Sequence, residues 1–386
     1  MPKPHASPSL QTLFLTFLRL GSTAFGGPAM IPYIRQIAVD KKGWLNEELF
    51  RTGMALCQSI PGATAMQMAA YVGLRARGLS GAIAAYLGFG LPAFCLITAL
   101  SVVYAASRTV EPVLAAFIGL KLIVVALIAH ASINFSRKYL THTPDKLIAL
   151  GTGVVLGLKG NPILAIVGAC LIGLILYRNM DGQAPAHSHV HDNPIKRLLL
   201  LCIPLAILLA TLAALNPGLF ELAMVMFKVD LFAFGGGYVS LPLMLHEVTT
   251  ARAWMSPEMF MDGIALGQIT PGPIVITSAF VGHHLYGLAG AAIGAIFAFV
   301  PSLVILVGVT PYFDHLQASP LFRRAVRASL ASLVGLMAAV FARFAVTTAW
   351  SPLGAILCLG TFLALRAKVD ILWVVLVGAC LSILVL

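Results

Sequence analysis

Phe25-Gly26-Gly27-Pro28, Pro32, Trp44, Phe50, Gly53 and Gln58-Ser59-Ile60-Pro61-Gly62 form a pattern that the chain repeats about 210 residues later. The second copy reads Phe234-Gly235-Gly236-Gly237, Pro242, Trp254, Phe260, Gly263 and Gln268-Ile269-Thr270-Pro271-Gly272. The offset is 210 from Pro32 to Gly62 and 209 on either side, where Gly73, Gly78, Gly81 and Pro92 answer to Gly282, Gly287, Gly290 and Pro301. Self-similarity at a fixed spacing marks an internal repeat. Glycine frees the backbone to leave a helix, and proline removes an amide donor. Each copy therefore carries matched points at which helix must break.

Composition says what kind of helix. The 386 residues are 59% hydrophobic and 10% charged, with a mean hydropathy of +0.94; soluble domains carry about 25% charged residues. Apolar stretches of roughly 20 residues recur along the chain, enough to cross a bilayer as helices. In hydrocarbon every backbone amide needs an internal partner, so only helices and closed barrels span. Long runs without two-residue alternation exclude the barrel. The fold class is all-α, a polytopic membrane protein. In that class a net charge of +11 reflects Lys and Arg in cytoplasmic loops and not a nucleic-acid partner. Cys57, Cys95, Cys170, Cys202, Cys358 and Cys380 all fall in apolar segments without a CxxC pair. They read as small hydrophobes, so neither a metal nor a cofactor is expected. Met1 to Ser9 is short and polar, and no cleaved signal peptide is expected.

Thirteen apolar segments are predicted. Six lie near 10–32, 52–74, 79–106, 112–134, 145–158 and 161–177; a polar linker, 178–195, precedes 196–215; six more lie near 218–243, 261–283, 287–313, 325–345, 349–365 and 369–386. Those holding the repeated Gly/Pro motifs are candidates for broken or re-entrant segments. The organisation is an N-terminal repeat, 1–178, a linker with one extra helix, 179–216, and a C-terminal repeat, 217–386. Of 25 Lys and Arg, Arg19, Lys121 and Lys228 sit deep inside segments, and the others lie in loops or within two residues of a segment end. Alternating the loops puts 15 of the rest on the N-terminal side and seven opposite, with Arg35, Lys41, Lys42 and Arg51 together in one exceptional loop. That bias favours a cytoplasmic N-terminus, an external C-terminus and the inner (plasma) membrane. Because the extra segment crosses once more, the second repeat is predicted to be inverted relative to the first. Matched broken helices in inverted halves point to a transporter with its substrate site between them, near the bilayer midplane.

The candidate site residues follow from the breaks. Arg19 and Lys228 stand seven residues before the two Gly-Gly pairs, inside apolar segments. A cation there is costly unless it pairs or lines a polar cavity; near a helix end it snorkels to the headgroups instead. Asp230 could pair with either cation or act as a proton site, although its counterpart is Gly21. Gly26, Gly27, Pro28, Gly235, Gly236 and Gly237 let backbone approach a ligand closely. Gln58, Pro61 and Gly62, with Gln268, Pro271 and Gly272, repeat the break downstream. A helix restarting there offers free N–H groups and a positive dipole end, which suits an anion. Ser59, Thr64, Thr270 and Thr277 could add hydroxyls. The competing reading is close packing of small residues between membrane helices. Asn46 and Ser256 are predicted N-caps of short interfacial helices anchored by Trp44 and Trp254, with Glu48 and Glu258 recurring inside them. Lys121 has no clear twin and is either a pore-lining cation or part of a helix packed on the other repeat. His187, His189 and His191 read as bystanders in a solvated linker.

The doubled F-G-G-[PG], W-x-x-x-E and Q-x-x-P-G set resembles the chromate ion transporter family, over essentially the whole chain and in its long two-domain form. The resemblance implies export of chromate, with sulfate as a related oxyanion, driven by the membrane potential or a proton gradient. Chromate is the partner it implies; the apolar composition adds the lipid bilayer, no nucleic acid is expected, and a homodimer is an assembly to test. The motif residues carried over are Phe25, Gly26, Gly27, Pro28, Gln58, Pro61, Gly62, Phe234, Gly235, Gly236, Gly237, Gln268, Pro271 and Gly272. Asp230 departs from the small or neutral residue expected at its position. Other classes fit less well. A lipid-acting enzyme would cluster acids or His within its spans, whereas the 14 Asp and Glu lie mostly in loops; an anion channel would use the same broken helices.

Overall fold

The computed structural model describes residues 8–23, 30–107, 110–178 and 194–385. Among the described residues the chain is helical, and its only β pairing is one isolated bridge. The first repeat folds as α1 (Leu10–Thr23), α2 (Met30–Arg35), α3 (Glu47–Ser59), α4 (Thr64–Ser107), α5 (Glu111–Tyr139), α6 (Thr143–Gly157) and α7 (Pro162–Leu176). The extra helix, α8 (Ile195–Leu215), follows. The second repeat folds as α9 (Pro217–Phe232), α10 (Gly237–Leu245), α11 (Pro257–Ile269), α12 (Thr277–Val309), α13 (Phe313–Ala318), α14 (Pro320–Thr347), α15 (Pro352–Arg366) and α16 (Ile371–Val385). Among the described residues, five stretches are helical, long and apolar enough to cross a membrane: Thr64–Ser107, Val113–Tyr139, Ile195–Leu215, Ile274–Ala318 and Pro320–Thr347.

The duplication persists in local geometry. A single π-helical turn, Gln36–Lys41, recurs at His246–Ala251. The chain then folds back identically, with Leu45 N–H on the Ala38 carbonyl at 3.1 Å and Met255 N–H on the Val248 carbonyl at 3.3 Å. The predicted caps form: Asn46 Oδ1 accepts from Leu49 N–H at 2.8 Å and Ser256 Oγ from Met259 N–H at 3.2 Å. The segments read at 52–74 and 261–283 are not continuous, since helix stops at Ser59 and at Ile269 and resumes only after Pro-Gly. In the exceptional basic loop, Arg35 pairs with Asp40 and Glu47, and Arg51 with Glu47. The Arg35 guanidinium, hydrogen-bonded to Glu47, holds that carboxyl below its usual range.

α4 and α12 are each folded on themselves. Helical geometry fails at Arg77–Gly78 and at Tyr286–Gly287, where the glycines take φ of +67° and +57°. Beyond each bend the two legs touch backbone to backbone: a Cβ on Gly73 would lie 2.1 Å from the Gly81 carbonyl oxygen, and one on Gly282 would lie 2.0 Å from that of Gly290. Gly282→Ala is therefore expected to force the legs apart and to lower the melting temperature in detergent. Gly287→Ala meets no atom within 4 Å and costs only the left-handed backbone, about 1–2 kcal/mol. Equal melting of the two variants would contradict this account of the bend.

The chain forms two compact units, each drawing on both halves of the sequence. One comprises Met1–Thr98, His187–Gly237 and Thr270–His315. In it α9 and α8 pack on α12, while α1 lies against α4, where Gly21 and Gly88 admit the backbone of Phe89 and of Phe14. The other comprises Ala99–Ala186, Tyr238–Ile269 and Leu316–Leu386. There α5 packs on α15 and α16, and α14 on α6 and α7. By the repeat spacing α5 answers to α14, and α6–α7 to α15–α16. Each long helix is thus held by the short pair of the opposite half. Ile148, Ala169, Tyr177, Ala328 and Ala331 form a buried core between α6, α7 and α14.

Candidate substrate-binding site

Two of the duplicated breaks meet inside the first unit. After α3, Ile60 is extended and Pro61 has no amide to donate; Gly62 turns the chain at φ +121°. After α9, Gly235 and Gly236 turn it at φ +89° and +108°. The two short extended pieces cross antiparallel: Pro61 bridges Phe234, and Gly62 N–H donates to the Ala233 carbonyl at 3.0 Å. Backbone that leaves a membrane helix must be satisfied by other protein groups, and here each break satisfies the other.

The surroundings are polar and buried. Gln67 donates its amide to the Pro61 carbonyl at 2.6 Å, while its Oε1 is buried with no hydrogen-bond partner. Ser302, which follows Pro301 in α12, donates its N–H to Asp230 Oδ2 at 2.7 Å. Ser302 Oγ and Tyr86 Oη both donate to the Phe299 carbonyl, at 2.8 and 2.6 Å. Gly62 closes this cluster, because a Cβ there would lie 2.2 Å from Ser302 Cβ and 2.7 Å from Gln67 Nε2. Three helical segments also begin here. A Cβ on Gly236 would lie 3.2 Å from Thr64 Oγ1, at the start of α4. One on Gly237, which opens α10, would lie 3.2 Å from Ile274, which opens the 3-10 turn leading into α12. Helix N-termini carry positive partial charge and unpaired N–H groups.

The other downstream break repeats part of this geometry. Gly272 takes φ +109°, and its Cβ would lie 2.7 Å from Ala93. At the repeat spacing Ala93 answers to Ser302, so Gly62 and Gly272 each press on the folded helix of the opposite half. Gln268, Thr270 and Pro271 are buried beside it in sequence. Gly26, Gly27 and Pro28, like Phe25 and the linker histidines, lie outside the described residues.

The structure thus brings together Pro61, Gly62, Gly235, Gly236, Gly237 and Asp230. Gln58 is half-buried on the last turn of α3. Arg19 is exposed on α1, and Lys228 is half-buried on α9. No ion pair or hydrogen bond joins the side chain of either cation to the crossing among the described residues. Lys121 is ion-paired in the second unit, its Nζ 3.4 Å from Asp262 Oδ1. Gln67, Tyr86, Ser302 and Asp262 are polar residues that the motif reading passed over. Each was visible as a polar side chain inside an apolar run, a placement that is costly without a partner. Among the described residues no cluster of His, Cys, Asp and Glu could hold a metal ion.

The family described as Chromate transporter matches the chain twice, over residues 11–174 and 220–383, at the spacing of the duplicated motifs. An uncharacterized transporter of Methanocaldococcus jannaschii is 40% identical over 383 residues, covering 98% of this chain and 95% of its own. The chromate transport protein of Cupriavidus metallidurans is 29% identical over 335 residues, covering 86% of this chain and 82% of its own. The chromate transport protein of Pseudomonas aeruginosa is 29% identical over 320 residues, covering 82% and 75%. No solved structure matches the chain.

Proposed function

The chain belongs to the chromate transporter family, and from that premise we propose that it exports chromate as a secondary transporter of the cytoplasmic membrane. A dianion leaving an inside-negative cell gains about 2.3 kcal/mol per charge per 100 mV, roughly 4.6 kcal/mol in all. The membrane potential, alone or with a proton gradient, is then sufficient to drive efflux. Sulfate shares the tetrahedral geometry and charge and is the alternative substrate. The activity is transport, not catalysis.

The observation that carries the site is the crossing of Pro61–Gly62 with Ala233–Phe234 beside three helical starts. An oxyanion accepts hydrogen bonds only, so it suits N–H groups and dipole ends more than carboxylates. Pro61, Gly62, Gly235, Gly236 and Gly237 form one wall in this reading, with Gln58 at the approach. Gln268, Pro271 and Gly272 are the counterparts of that set at the repeat spacing, and Gly26, Gly27 and Pro28 are carried as substrate-binding residues on the motif alone. The repeats, 1–178 and 217–386, enter the membrane from opposite faces, and the inverting segment lies in 179–216. The N-terminus is cytoplasmic and the C-terminus external. Asp230 and Lys121 are the candidate coupling or pore groups, and a homodimer is one assembly to test.

Vesicles with internal chromate or sulfate, and with potential and pH gradient imposed separately, test the proposal. Chromate efflux that follows the potential is the expected result; none under either gradient would sink the reading. Arg19→Gln and Lys228→Gln are expected to abolish efflux with membrane insertion intact. Unchanged efflux would remove both cations from the site and leave them as headgroup anchors.

A further inference from the structure

A second polar cluster lies in the second unit, outside the crossing. α5, α11 and the last turns of α4 surround a cavity of about 230 Å³, with room for several waters. Lys121, Asp262, Tyr104, Glu258, Ser256 and Phe117 are among its lining. Lys121 Nζ stands 3.4 Å from Asp262 Oδ1, and Tyr104 donates its hydroxyl to Asp262 Oδ2 at 2.8 Å. Asp262 is 6% exposed. Glu258, one turn earlier on the same face of α11, is exposed. The Ser256 hydroxyl, with Lys121 and Arg343 in electrostatic range, keeps the Glu258 carboxyl below its usual range.

A buried ion pair that only fastens two helices is best packed dry, since solvent weakens the attraction and burial has already cost several kcal/mol per ion. This pair instead opens on a cavity of mixed polar and apolar lining that leads to an exposed carboxylate. It also breaks the duplication. At the repeat spacing Asp262 answers to Thr52, and Lys121 to Leu330. The scaffold of breaks and bends is present twice, the charged pair once. That is the expectation for one proton site serving one substrate site. Ionisable groups buried in membrane segments commonly serve as proton relays.

We propose that Asp262, held by Lys121 and Tyr104, is a proton-binding site that couples anion transport to a pH gradient, with Glu258 as its access group. The inference rests on the transport reading above. A proton arriving from water passes by way of the Glu258 carboxylate to a carboxylate oxygen of Asp262. There it forms an O–H bond, and Lys121 keeps all three of its own protons. Protonation removes the negative half of the tie between α5 and α11. α11 is the helix that ends in Gln268 and the second Pro-Gly break, so loading the proton loosens the element that carries one motif. α11 packs against α5, α14 and α16, and α4 reaches it through the Tyr104 hydroxyl. α5 contributes Lys121, α14 contributes Arg343, whose charge acts on Glu258, and α16 contains no charged residue.

The test uses the full-length protein in vesicles with two assays, chromate–chromate exchange at equal concentrations and net chromate flux stimulated by a pH gradient at clamped potential. Asp262→Asn, which keeps an acceptor for Tyr104, is expected to exchange at the wild-type rate and to lose the stimulation completely. Glu258→Gln is expected to slow the stimulated rate and spare exchange. Lys121→Gln removes the cation that favours ionised Asp262, so the pH midpoint of stimulation should move upward. A purely structural pair would not produce that shift. Stimulation that survives in Asp262→Asn overturns the proposal, as does loss of exchange together with stimulation, or wild-type protein that ignores the pH gradient. Wild-type protein that fails to exchange chromate at all would sink the transport reading itself, and the coupling proposal with it.

Discussion

Gly62→Ala is expected to abolish chromate flux and to destabilise the protein by about 2–6 kcal/mol. Two costs add at this residue. Its φ of +121° is a conformation that L side chains rarely adopt, worth about 1–3 kcal/mol. The new methyl carbon would also lie 2.2 Å from Ser302 Cβ in a buried, close-packed cluster, and overpacking costs about 1–3 kcal/mol more. Either relief is damaging. If Ser302 moves, Asp230 loses the N–H it accepts at 2.7 Å; if Gly62 moves, its hydrogen bond to Ala233 goes and the two breaks separate. Gly78→Ala is the control: it also sits at positive φ but meets nothing within 4 Å, so flux should survive. Melting in detergent and vesicle flux read the two effects apart. Wild-type flux through Gly62→Ala would show that the crossing is not part of the transport path.

The second large effect is expected away from that site, at Arg327. Asp145 is fully buried near the start of α6 and accepts from Arg327 Nε at 2.9 Å and Nη2 at 3.0 Å, one bond to each carboxylate oxygen. Tyr177 Oη at 2.7 Å, His142 N–H at 2.8 Å and Thr141 Oγ1 at 3.2 Å also donate to it. The Arg327 guanidinium also lies 4.8 Å from the centre of the Tyr177 ring. Arg327→Ala leaves a buried carboxylate without its counter-charge, a loss of about 3–5 kcal/mol. Arg327→Lys is expected to recover only part of it, because an ammonium cannot supply the planar two-point contact. Combining Asp145→Asn with Arg327→Met should be less harmful than Arg327→Ala alone, since no charge is then stranded. Unchanged melting of Arg327→Ala would refute this account of how α6, α7 and α14 are joined.

Much of the scaffold was legible because proline and glycine act locally. Pro61 and Gly62 mark the end of α3 in any context, and their twins Pro271 and Gly272 do the same after α11. The repeat spacing likewise exposed Gly73 and Gly81 as equivalents of Gly282 and Gly290. It did not reveal that the pairs touch, because hydropathy alone cannot tell a bend from a straight span. Nor does a break state which other break will satisfy its backbone; Gly62 meeting Ala233 is a long-range choice made by packing. Symmetry itself misled at the charged residues. Asp262 stood unremarked in the apolar run 261–283, since its counterpart Thr52 drew no attention, and Lys121 stayed ambiguous for want of its partner. Arg19 and Lys228, whose recurrence made them conspicuous, show no ion pair among the described residues, because periodicity reports position along a helix and not what that face meets.

The exchange of partners in the second unit has a consequence for synthesis. α6 and α7 close their core only with α14, which begins about 140 residues after α7 ends. At a translation rate of about 5–20 residues per second, that is a wait of roughly 7–30 s. For this interval α6 and α7 have emerged without the helix that completes their core. Asp145 in particular is made long before Arg327 exists to neutralise it. The nascent chain must therefore carry α6 and α7 as an unfinished surface until the last third of the protein is made.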